Sequence, residues 1–391
     1  MLPFRFLKNT FLLGFIISLY TIIPLAAQVH PGAQDLNTYL PMLKGKKIGV
    51  VAHAASQVYT KEKAVHLIDT LRSHGIEIIT IFAPEHGFRS REDNGALIRD
   101  EIDSLTQIQI ISLHGKNRKP RPEHLKNIDA ILFDLQDVGA RFYTYLSTLH
   151  LVMEACAENT TPMIILDRPN PNGHYVDGPV MEEAYKGYLG KHNIPIVHGL
   201  TLGEFAKMIN GEKWLINGIQ TELTVIKNKA YSHQSNYELP LRPSPNLPNA
   251  QAINLYPSLC LFEQTPVSIG RGTEKQFQGY GHPSFKGDYS FVPQPNFGAK
   301  KPKLEGEKCW GEDLSNHPRL NRLELKWLMK AYADFPDKEN FFSARFVKLS
   351  GTKSLKEQIQ NGWTEKAIRA SWEPQLAEFK EVRNKYLLYP N

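Results

Sequence analysis

The chain has 391 residues with a formal net charge of +6, and 41% of its residues are hydrophobic. A chain of this length fits roughly two domains and can bury a sizeable core. The charge is modest and the basic residues are scattered, whereas nucleic-acid binding requires a concentrated basic face. Three cysteines at wide spacing form neither a disulfide framework nor a zinc motif. The sequence therefore predicts no nucleic-acid partner, no metal and no cofactor.

The first 27 residues have the layout of a secretory signal peptide. Arg5 and Lys8 precede an apolar run over 11–27, which ends in two alanines. This order of positive charge, apolar core and small residues is typical of signal peptides. An uncleaved membrane anchor is the alternative, because the run is nearly long enough to span a bilayer, but Pro24 interrupts it. We predict a periplasmic or secreted protein with no stable membrane insertion after cleavage.

From residue 47 onwards, short apolar runs alternate with amphipathic segments. Short apolar runs favour buried strands, and apolar residues spaced three or four apart favour helices. This alternation predicts an α/β fold with a Rossmann-like, mostly parallel sheet and helices on both faces. The predicted strands span 47–53, 76–82, 108–113, 130–134, 163–167 and 223–226, and the predicted helices span 64–74, 141–158 and 202–209.

The pattern changes after about Pro240, where the sequence becomes rich in loop-forming Pro, Asn and Gly. Further helices are predicted at 322–332, at 355–360 and from Thr364 onwards. We predict that residues 28–245 form the catalytic domain. Residues 246–391 would form a smaller auxiliary α+β domain that contributes loops to the cleft.

Polar side chains follow three of the predicted strands. Glu85 and His86 come after the second strand, 134–137 holds two aspartates, and 167–170 begins with an aspartate. In open α/β sheets, ligands bind outside the carboxyl ends of the strands. We expect these residues to converge on one cleft, although each of them taken alone could equally cap a helix or brace a loop.

Three common motifs are absent from the sequence. No Gly-x-Gly-x-x-Gly follows the first strand, so a bound dinucleotide is not indicated. There is no Gly-x-Ser-x-Gly elbow of a serine hydrolase, and there is no Walker loop. The glycine-rich segment 268–273 instead predicts a loop that lets Arg271 and backbone amides approach a ligand closely.

Several motifs together resemble the NamZ-type exo-β-N-acetylmuramidases, a family long catalogued as a domain of unknown function. The resemblance runs from about Lys46 to the end of the chain, in the family's order. Local departures, such as His114 within 113–115 and the segment 276–278, concern substrate detail more than reaction type. The motifs that carry the resemblance lie at 84–89, 133–145, 166–171, 198–204, 243–248 and 263–273.

The resemblance implies a Rossmann-like catalytic domain with an auxiliary domain. It also implies an exo-acting glycoside hydrolase that removes N-acetylmuramic acid from the non-reducing ends of peptidoglycan fragments, in cell-wall turnover or recycling. Muropeptides and the disaccharide MurNAc-GlcNAc would be its partners.

Glycoside hydrolysis needs a proton for the leaving oxygen and stabilisation of an oxocarbenium-like transition state, usually from two carboxyl groups. Glu85 is our candidate general acid/base, and the neighbouring His86 would orient or tune it. The second participant stays open. Its candidates are Asp134, Asp137, Asp167, Glu263 and the acetamido group of the substrate itself.

Muramic acid carries a lactyl carboxylate that glucosamine lacks, and an arginine binds a carboxylate with a bidentate fork. Arg168 and Arg271 are the first candidates for this contact, and Arg141 is the third. The other predicted substrate-binding residues are Gln136, Tyr143, Tyr145, Asn170, His198, Asn246 and Glu263.

Two other functions fit part of the pattern. A noncatalytic cell-wall protein could hold a sugar in the same cleft without cleaving it. A metal-dependent hydrolase could use oxygen and nitrogen ligands, although no His-Glu-x-x-His motif occurs. Its candidate ligands are His53, Glu85, His86, Asp134, Asp167 and His198.

Overall fold

The computed structural model describes residues 28–59, 63–85, 87–88 and 100–391. The predicted signal peptide and His86 lie outside the described residues. The strands are β1 (Lys47–Ala52), β2 (Gln57–Tyr59), β3 (Ala64–His66), β4 (Glu77–Ala83), β5 (Glu101–Ile102), β6 (Gln109–Ser112), β7 (Ala130–Asp134), β8 (Met163–Leu166), β9 (Asp177–Val180), β10 (Pro195–Val197), β11 (Leu223–Ile226), β12 (Gly279–His282), β13 (Tyr289–Phe291) and β14 (Cys309–Asp313). The α-helices are α1 (Leu36–Leu43), α2 (Leu67–Ser73), α3 (Pro122–Leu125), α4 (Tyr145–Glu158), α5 (Leu202–Gly211), α6 (Ala250–Leu259), α7 (Lys326–Asp334), α8 (Phe346–Ser350), α9 (Ser354–Gln360) and α10 (Glu365–Asn384).

A seven-stranded sheet in the order β11-β8-β7-β1-β4-β6-β5 forms the centre of the molecule. All neighbouring strands in it are parallel except β5, which pairs antiparallel with β6. The short apolar runs of the sequence are buried on both faces here, as expected for a parallel sheet covered by helices. The predicted Rossmann-like, mostly parallel sheet is confirmed.

Helices cover both faces of this sheet because successive side chains of a strand point in opposite directions. In β1, Ile48 and Val50 join a core cluster with α1 and α2, whereas Val51 joins a second cluster with α4 and α5. The second cluster continues into the C-terminal part of the chain, as far as Trp372 and Phe379 of α10. That part is therefore packed against one face of the sheet by a shared core.

The C-terminal part contains α6 to α10 and the three-stranded antiparallel sheet β12-β14-β13. This arrangement confirms a smaller α+β portion. The domain boundary at residue 245 stays a prediction, because one core cluster joins residues on both sides of it.

Three predicted elements need correction. The helix over 64–74 is a short strand followed by α2, because Ala64 to His66 pair with β2 and the His66 ring then caps the helix. The helix over 141–158 begins only at Tyr145, since the Arg141 amide donates to Ile196 O at 2.8 Å. Helix α6 falls in the stretch that was predicted as loop.

Residues from both ends of the described chain meet at Asp167. The Gly32 amide donates to the Asp167 carbonyl oxygen at 2.8 Å, and the Tyr389 hydroxyl donates to Asp167 Oδ2 at 2.6 Å. Since Asp167 is fully buried, this junction fixes both segments at one end of the sheet.

All three cysteines are free and buried, in agreement with the absence of a disulfide framework. Within the described ranges, no helix is long and apolar enough to cross a membrane.

Candidate active site

The carboxyl ends of the parallel strands lie at one edge of the sheet. The register places Ala52 of β1 opposite Asp134 of β7, and Val51 opposite Phe82 of β4. The residues that follow these strands therefore emerge side by side. His53 follows β1 and Glu85 follows β4.

A cavity of about 250 Å³ lies beside Glu85. Its wall combines residues that follow the sheet with residues from the C-terminal part of the chain. Such a site between two parts of a chain is a common location for ligands. The lining residues are Glu85, Phe142, Tyr143, Thr144, Tyr145, Leu189, Ser244, Asn246, Leu247, Tyr256, Cys260, Glu263, Gln264, Arg271, Phe277 and Leu349.

The carboxyl group of Glu85 is fixed by the residue that begins α4. Thr144 occupies the N-cap position, but its side chain makes no capping hydrogen bond. Its hydroxyl instead donates to Glu85 Oε2 at 2.9 Å. A threonine at the N-cap usually stabilises its own helix. Here the Thr144 side chain instead holds the Glu85 carboxyl group in the cavity wall.

His53 and Tyr145 form a buried pair behind Glu85. The Gln136 amide donates to His53 Nε2 at 3.2 Å, so that nitrogen carries no proton. The proton is then on Nδ1, which lies 3.2 Å from the Tyr145 hydroxyl. This assignment leaves the Tyr145 hydrogen directed toward the Glu85 carbonyl oxygen, 3.5 Å away.

Two tyrosines of the wall stay protonated. Burial raises the pKa of Tyr143 and of Tyr145 well above the ordinary value for a phenol. Tyr143 donates its hydroxyl hydrogen to the Pro243 carbonyl oxygen at 2.7 Å. This contact ties the segment before α4 to the 243–248 loop.

The part of the wall that follows α6 contains an ion pair. Arg271 Nε donates to Glu263 Oε1 at 2.6 Å, and its guanidinium lies over the Phe277 ring, 5.0 Å from the centroid. Although burial opposes the charged form of Arg271, the Glu263 carboxylate outweighs it and raises the arginine pKa. The two Nη nitrogens donate no hydrogen bond to any described residue. Arg271 is therefore a charged fork with one edge available to a ligand.

The segment that carries Glu263 is held by a half-buried lysine. Lys303 Nζ donates to the carbonyl oxygens of Phe262, Thr265 and Val267 at 3.1, 2.5 and 3.1 Å. The ammonium group therefore gathers carbonyl oxygens from both sides of Glu263 around one point. These contacts hold the backbone around Glu263 in place.

Asp134 and Arg168 do not reach the cavity. Arg168 donates to both oxygens of Asp134, at 2.5 and 2.9 Å, and to the Gln57 carbonyl oxygen at 3.0 Å. Both side chains are buried. Because this bidentate pair satisfies the two groups mutually, it braces the strand ends of β7 and β8.

Asp167 also lies away from the cavity wall. It accepts hydrogen bonds from Tyr389, the Thr201 hydroxyl at 2.7 Å and the Gly203 amide at 2.8 Å. Burial nevertheless raises its pKa to about 7. Asp167 therefore fastens α5 and the 389 segment to the sheet.

Arg141 is buried and has no carboxylate partner among the described residues. Its guanidinium donates to the carbonyl oxygens of Pro179, Ile194 and Leu349, at 3.0, 2.9 and 2.6 Å. Burial lowers its pKa to about 9. Leu349 lines the cavity, so Arg141 supports the wall from behind.

Gln136, Asn170 and His198 belong to a buried polar network beneath the strand ends. Gln136 donates to the Pro169 carbonyl oxygen at 2.8 Å, and Asn170 donates to that of Leu200 at 2.9 Å. His198 Nε2 lies 3.6 Å from Asp137 Oδ2. None of these four polar side chains is on the cavity wall.

The comparisons with known proteins agree with this architecture. Two family models described as exo-β-N-acetylmuramidase NamZ match the chain, the N-terminal one over residues 48–251 and the C-terminal one over residues 254–389. The chain belongs to the NamZ family. The peptidoglycan β-N-acetylmuramidase NamZ of Bacillus subtilis is 35% identical, over 90% of this chain and 89% of that protein.

Two crystal structures of DUF1343 family proteins from Bacteroides fragilis share the NamZ-family fold seen here. One is 43% identical with a TM-score of 0.86, and it covers 93% of this chain and 100% of that one. The other is 26% identical with a TM-score of 0.80, and it covers 92% and 99% of the respective chains.

The cavity brings together six of the residues selected from the sequence. These are Glu85, Tyr143, Tyr145, Asn246, Glu263 and Arg271. Sequence reasoning missed other members of the wall, including Thr144, Ser244, Tyr256, Cys260 and Gln264. A signal existed for Thr144, which stands between two selected tyrosines.

The metal alternative gains no support from the part of the chain that is described. There, no group of three or more His, Cys, Asp or Glu side chains could hold a metal ion.

Proposed function

We propose that this protein is an exo-acting glycoside hydrolase that releases N-acetylmuramic acid from the non-reducing ends of peptidoglycan fragments. Its membership of the NamZ family supports the reaction and the substrate class. One observation of this chain carries the proposal further. A single cavity contains both the Glu85 carboxyl group and the Arg271 guanidinium.

Glu85 is the proposed general acid/base. A glycosidase must protonate the leaving oxygen, and a positioned side chain can do so only from within hydrogen-bond reach. The Thr144 hydroxyl occupies one carboxyl oxygen of Glu85, which orients the group while the cavity admits the substrate. The buried His53–Tyr145 pair supports the backbone of the same residue.

Arg271 is the proposed receptor for the lactyl carboxylate. Its Nε is engaged by Glu263, whereas its Nη edge faces no described partner. An arginine presents donors that match a carboxylate bidentately. Arg168 and Arg141 are engaged with other groups outside the cavity, so Arg271 is the preferred candidate of the three. In this arrangement, Glu263 orients Arg271.

The size of the cavity supports exo action. The volume of about 250 Å³ is slightly below the range of roughly 300–1,000 Å³ that is usual for ligand pockets, so it suits one terminal sugar better than several units of a glycan chain. MurNAc-GlcNAc and related muropeptides are the proposed substrates. Because peptidoglycan lies outside the cytoplasmic membrane, we place the activity in the periplasm or the medium, after export by the predicted signal peptide.

The deciding experiment uses the mature protein and its Glu85→Gln variant with a chromogenic β-N-acetylmuramide and the matching glucosaminide. We expect release from the muramide alone, reduced by about 10²- to 10⁴-fold in the variant, with binding of the muramide retained. Binding without release by the wild-type protein would instead identify a noncatalytic sugar-binding protein. Loss of release on exhaustive chelation would identify a metal-dependent hydrolase.

A further inference from the structure

Asn246 has an unusual position in the cavity wall. The residue is only 1% exposed, yet it lines the cavity. Its Nδ2 donates to the Gly298 carbonyl oxygen at 2.7 Å. This bond anchors the side chain to a tight turn, in which Asn296 and Ala299 exchange two backbone hydrogen bonds at 3.1 Å.

The hydrogen bond to Gly298 determines which way the amide of Asn246 faces. A carbonyl oxygen can only accept, so the side-chain nitrogen must be the atom that contacts it. The side-chain oxygen then has a fixed position. Asn246 Oδ1 is buried and has no hydrogen-bond partner among the described residues.

A buried acceptor atom without a hydrogen-bond partner needs an explanation. Leaving a buried polar atom without a partner costs about 1–3 kcal/mol, and native proteins contain few such atoms. Several other buried polar atoms in the described ranges also lack partners, but Asn246 is the one residue among them that lines the cavity. Oδ1 itself has almost no accessible surface in this structure, although Asn246 lines the cavity, so a donor of a bound ligand reaches it once the cavity wall adjusts around that ligand.

We propose that Asn246 Oδ1 is a specificity-determining acceptor that receives a hydrogen bond from the terminal sugar. This inference rests on the proposed function. The donor is either the acetamido N–H or the 4-hydroxyl group, which is unsubstituted only at a non-reducing end. Arg271 and Asn246 then contact different groups of the terminal sugar. Arg271 offers donors to the carboxylate, and Asn246 offers an acceptor that a carboxylate or an ether oxygen cannot use.

The test measures binding without turnover, by calorimetry with non-hydrolysable methyl thio-β-glycosides. Three ligands are compared: the N-acetylmuramide, its 2-acetoxy analogue, which replaces the N–H by an ester oxygen, and its 4-deoxy analogue. A site that hydrogen-bonds a substrate group rejects the analogue that lacks it. We expect the wild-type Kd to rise by about 10- to 100-fold for one of the two analogues. That analogue identifies the donor.

The Asn246→Ala variant completes the test. Removing the acceptor should bring the Kd of the sensitive analogue to within about threefold of that of the parent ligand. Asn296→Ala is the matched control, because Asn296 is on the same turn, donates to the Thr273 carbonyl oxygen at 3.1 Å and also has an unpartnered Oδ1, but it does not line the cavity. It should keep the wild-type preference.

Two results would overturn the inference. One is equal binding of all three ligands by the wild-type protein, a result that needs no variant to fold. The other is an unchanged preference in a folded Asn246→Ala protein, as judged by its thermal unfolding. Neither result touches the proposed function, which fails separately if the wild-type protein releases nothing from the chromogenic muramide.

Discussion

Thr144 Oγ1 lies 2.9 Å from Oε2 of Glu85. This hydrogen bond connects the residue immediately before α4 to the loop after β4. The two residues are 59 positions apart in sequence. The contact positions the carboxyl group of the candidate acid through a neutral donor. Helix α4 begins without a side-chain cap in consequence.

Replacing Thr144 by Val removes this donor and keeps the shape of the side chain. Leaving a buried polar atom without its hydrogen-bond partner costs about 1–3 kcal/mol, so we expect kcat to fall by about 10- to 100-fold while KM changes little. Steady-state kinetics on the chromogenic muramide measure both constants. Thr148→Val, one turn further along the same helix, is the control and should retain the wild-type kcat. Equal rates for the two variants would show that Thr144 does not position Glu85.

Selectivity for muramic acid should depend on Arg271. In the Glu85→Gln background, Arg271→Ala should weaken binding of N-acetylmuramic acid by about 10- to 100-fold, because a buried hydrogen-bonded ion pair with the lactyl group is lost. Binding of N-acetylglucosamine, which has no lactyl group, should stay within about threefold. Arg271→Lys keeps the charge without the planar fork and should give an intermediate loss. An equal loss for both sugars on Arg271→Ala would refute the assignment.

A buried histidine pair should make stability depend on pH. His192 Nε2 lies 3.1 Å from His150 Nδ1, and the His192 ring stacks on Trp214. Burial, together with the Lys191 charge, lowers the pKa of His150 from its ordinary 6.5 to about 4, against an opposing effect of Glu154. The unfolded chain therefore binds more protons than the folded one between those pH values, and stability falls as pH falls through that window.

For a pKa shift of this size, the expected loss of folding free energy toward low pH is of the order of 3 kcal/mol. Thermal unfolding between pH 4 and 7.5 measures this dependence of stability on pH. We expect the decline of Tm toward low pH to be shallower in His150→Gln than in the wild-type protein. His74→Gln, at an exposed position, should follow the wild-type curve. A decline as steep in His150→Gln would assign the acid sensitivity to other groups.

The Asp167 junction predicts a stability effect of Tyr389→Phe. The variant loses the hydroxyl that donates to Asp167 Oδ2, and we expect it to lower the free energy of unfolding by about 1–3 kcal/mol. The tyrosine hydrogen bond lowers the Asp167 pKa, against the burial that raises it to about 7. It therefore favours the ionised carboxyl group, and its loss should cost more at pH 8 than at pH 5. Denaturant unfolding of both proteins at pH 5 and pH 8 measures this difference. An equal loss of unfolding free energy at the two pH values would contradict the prediction.

The sequence predicted the central sheet well, because each of its long strands corresponds to a short apolar run. The strands β1, β4, β6, β7, β8 and β11 follow from short apolar runs, and their parallel arrangement follows from the helices between them. Helix α6 escaped prediction because Pro257 and Asn254 lie within it. Its start was nevertheless indicated by Asn249, which accepts from the Ala252 amide at 2.9 Å.

The candidate site was predictable only in part, because residue type and strand-end position do not reveal the partner. Glu85 and Asp167 both follow strands, yet Glu85 lines the cavity while Asp167 bonds to a tyrosine 222 positions later. Asp134 likewise pairs with Arg168, 34 positions away. Such long-range partners decide whether a carboxyl group is offered to a ligand or used to hold the fold together.

The same Asp167 junction has a consequence for the order in which the chain folds. The buried carboxyl group receives its hydroxyl donor from a residue that is made long after the sheet around it. Until the segment that carries Tyr389 has docked, the Asp167 carboxyl group between α5 and β8 lacks one of its hydrogen-bond donors. The Rossmann-like half therefore reaches its final stability only when this last segment is in place, and shortening the chain by a few residues near 389 should leave an intermediate that proteases recognise.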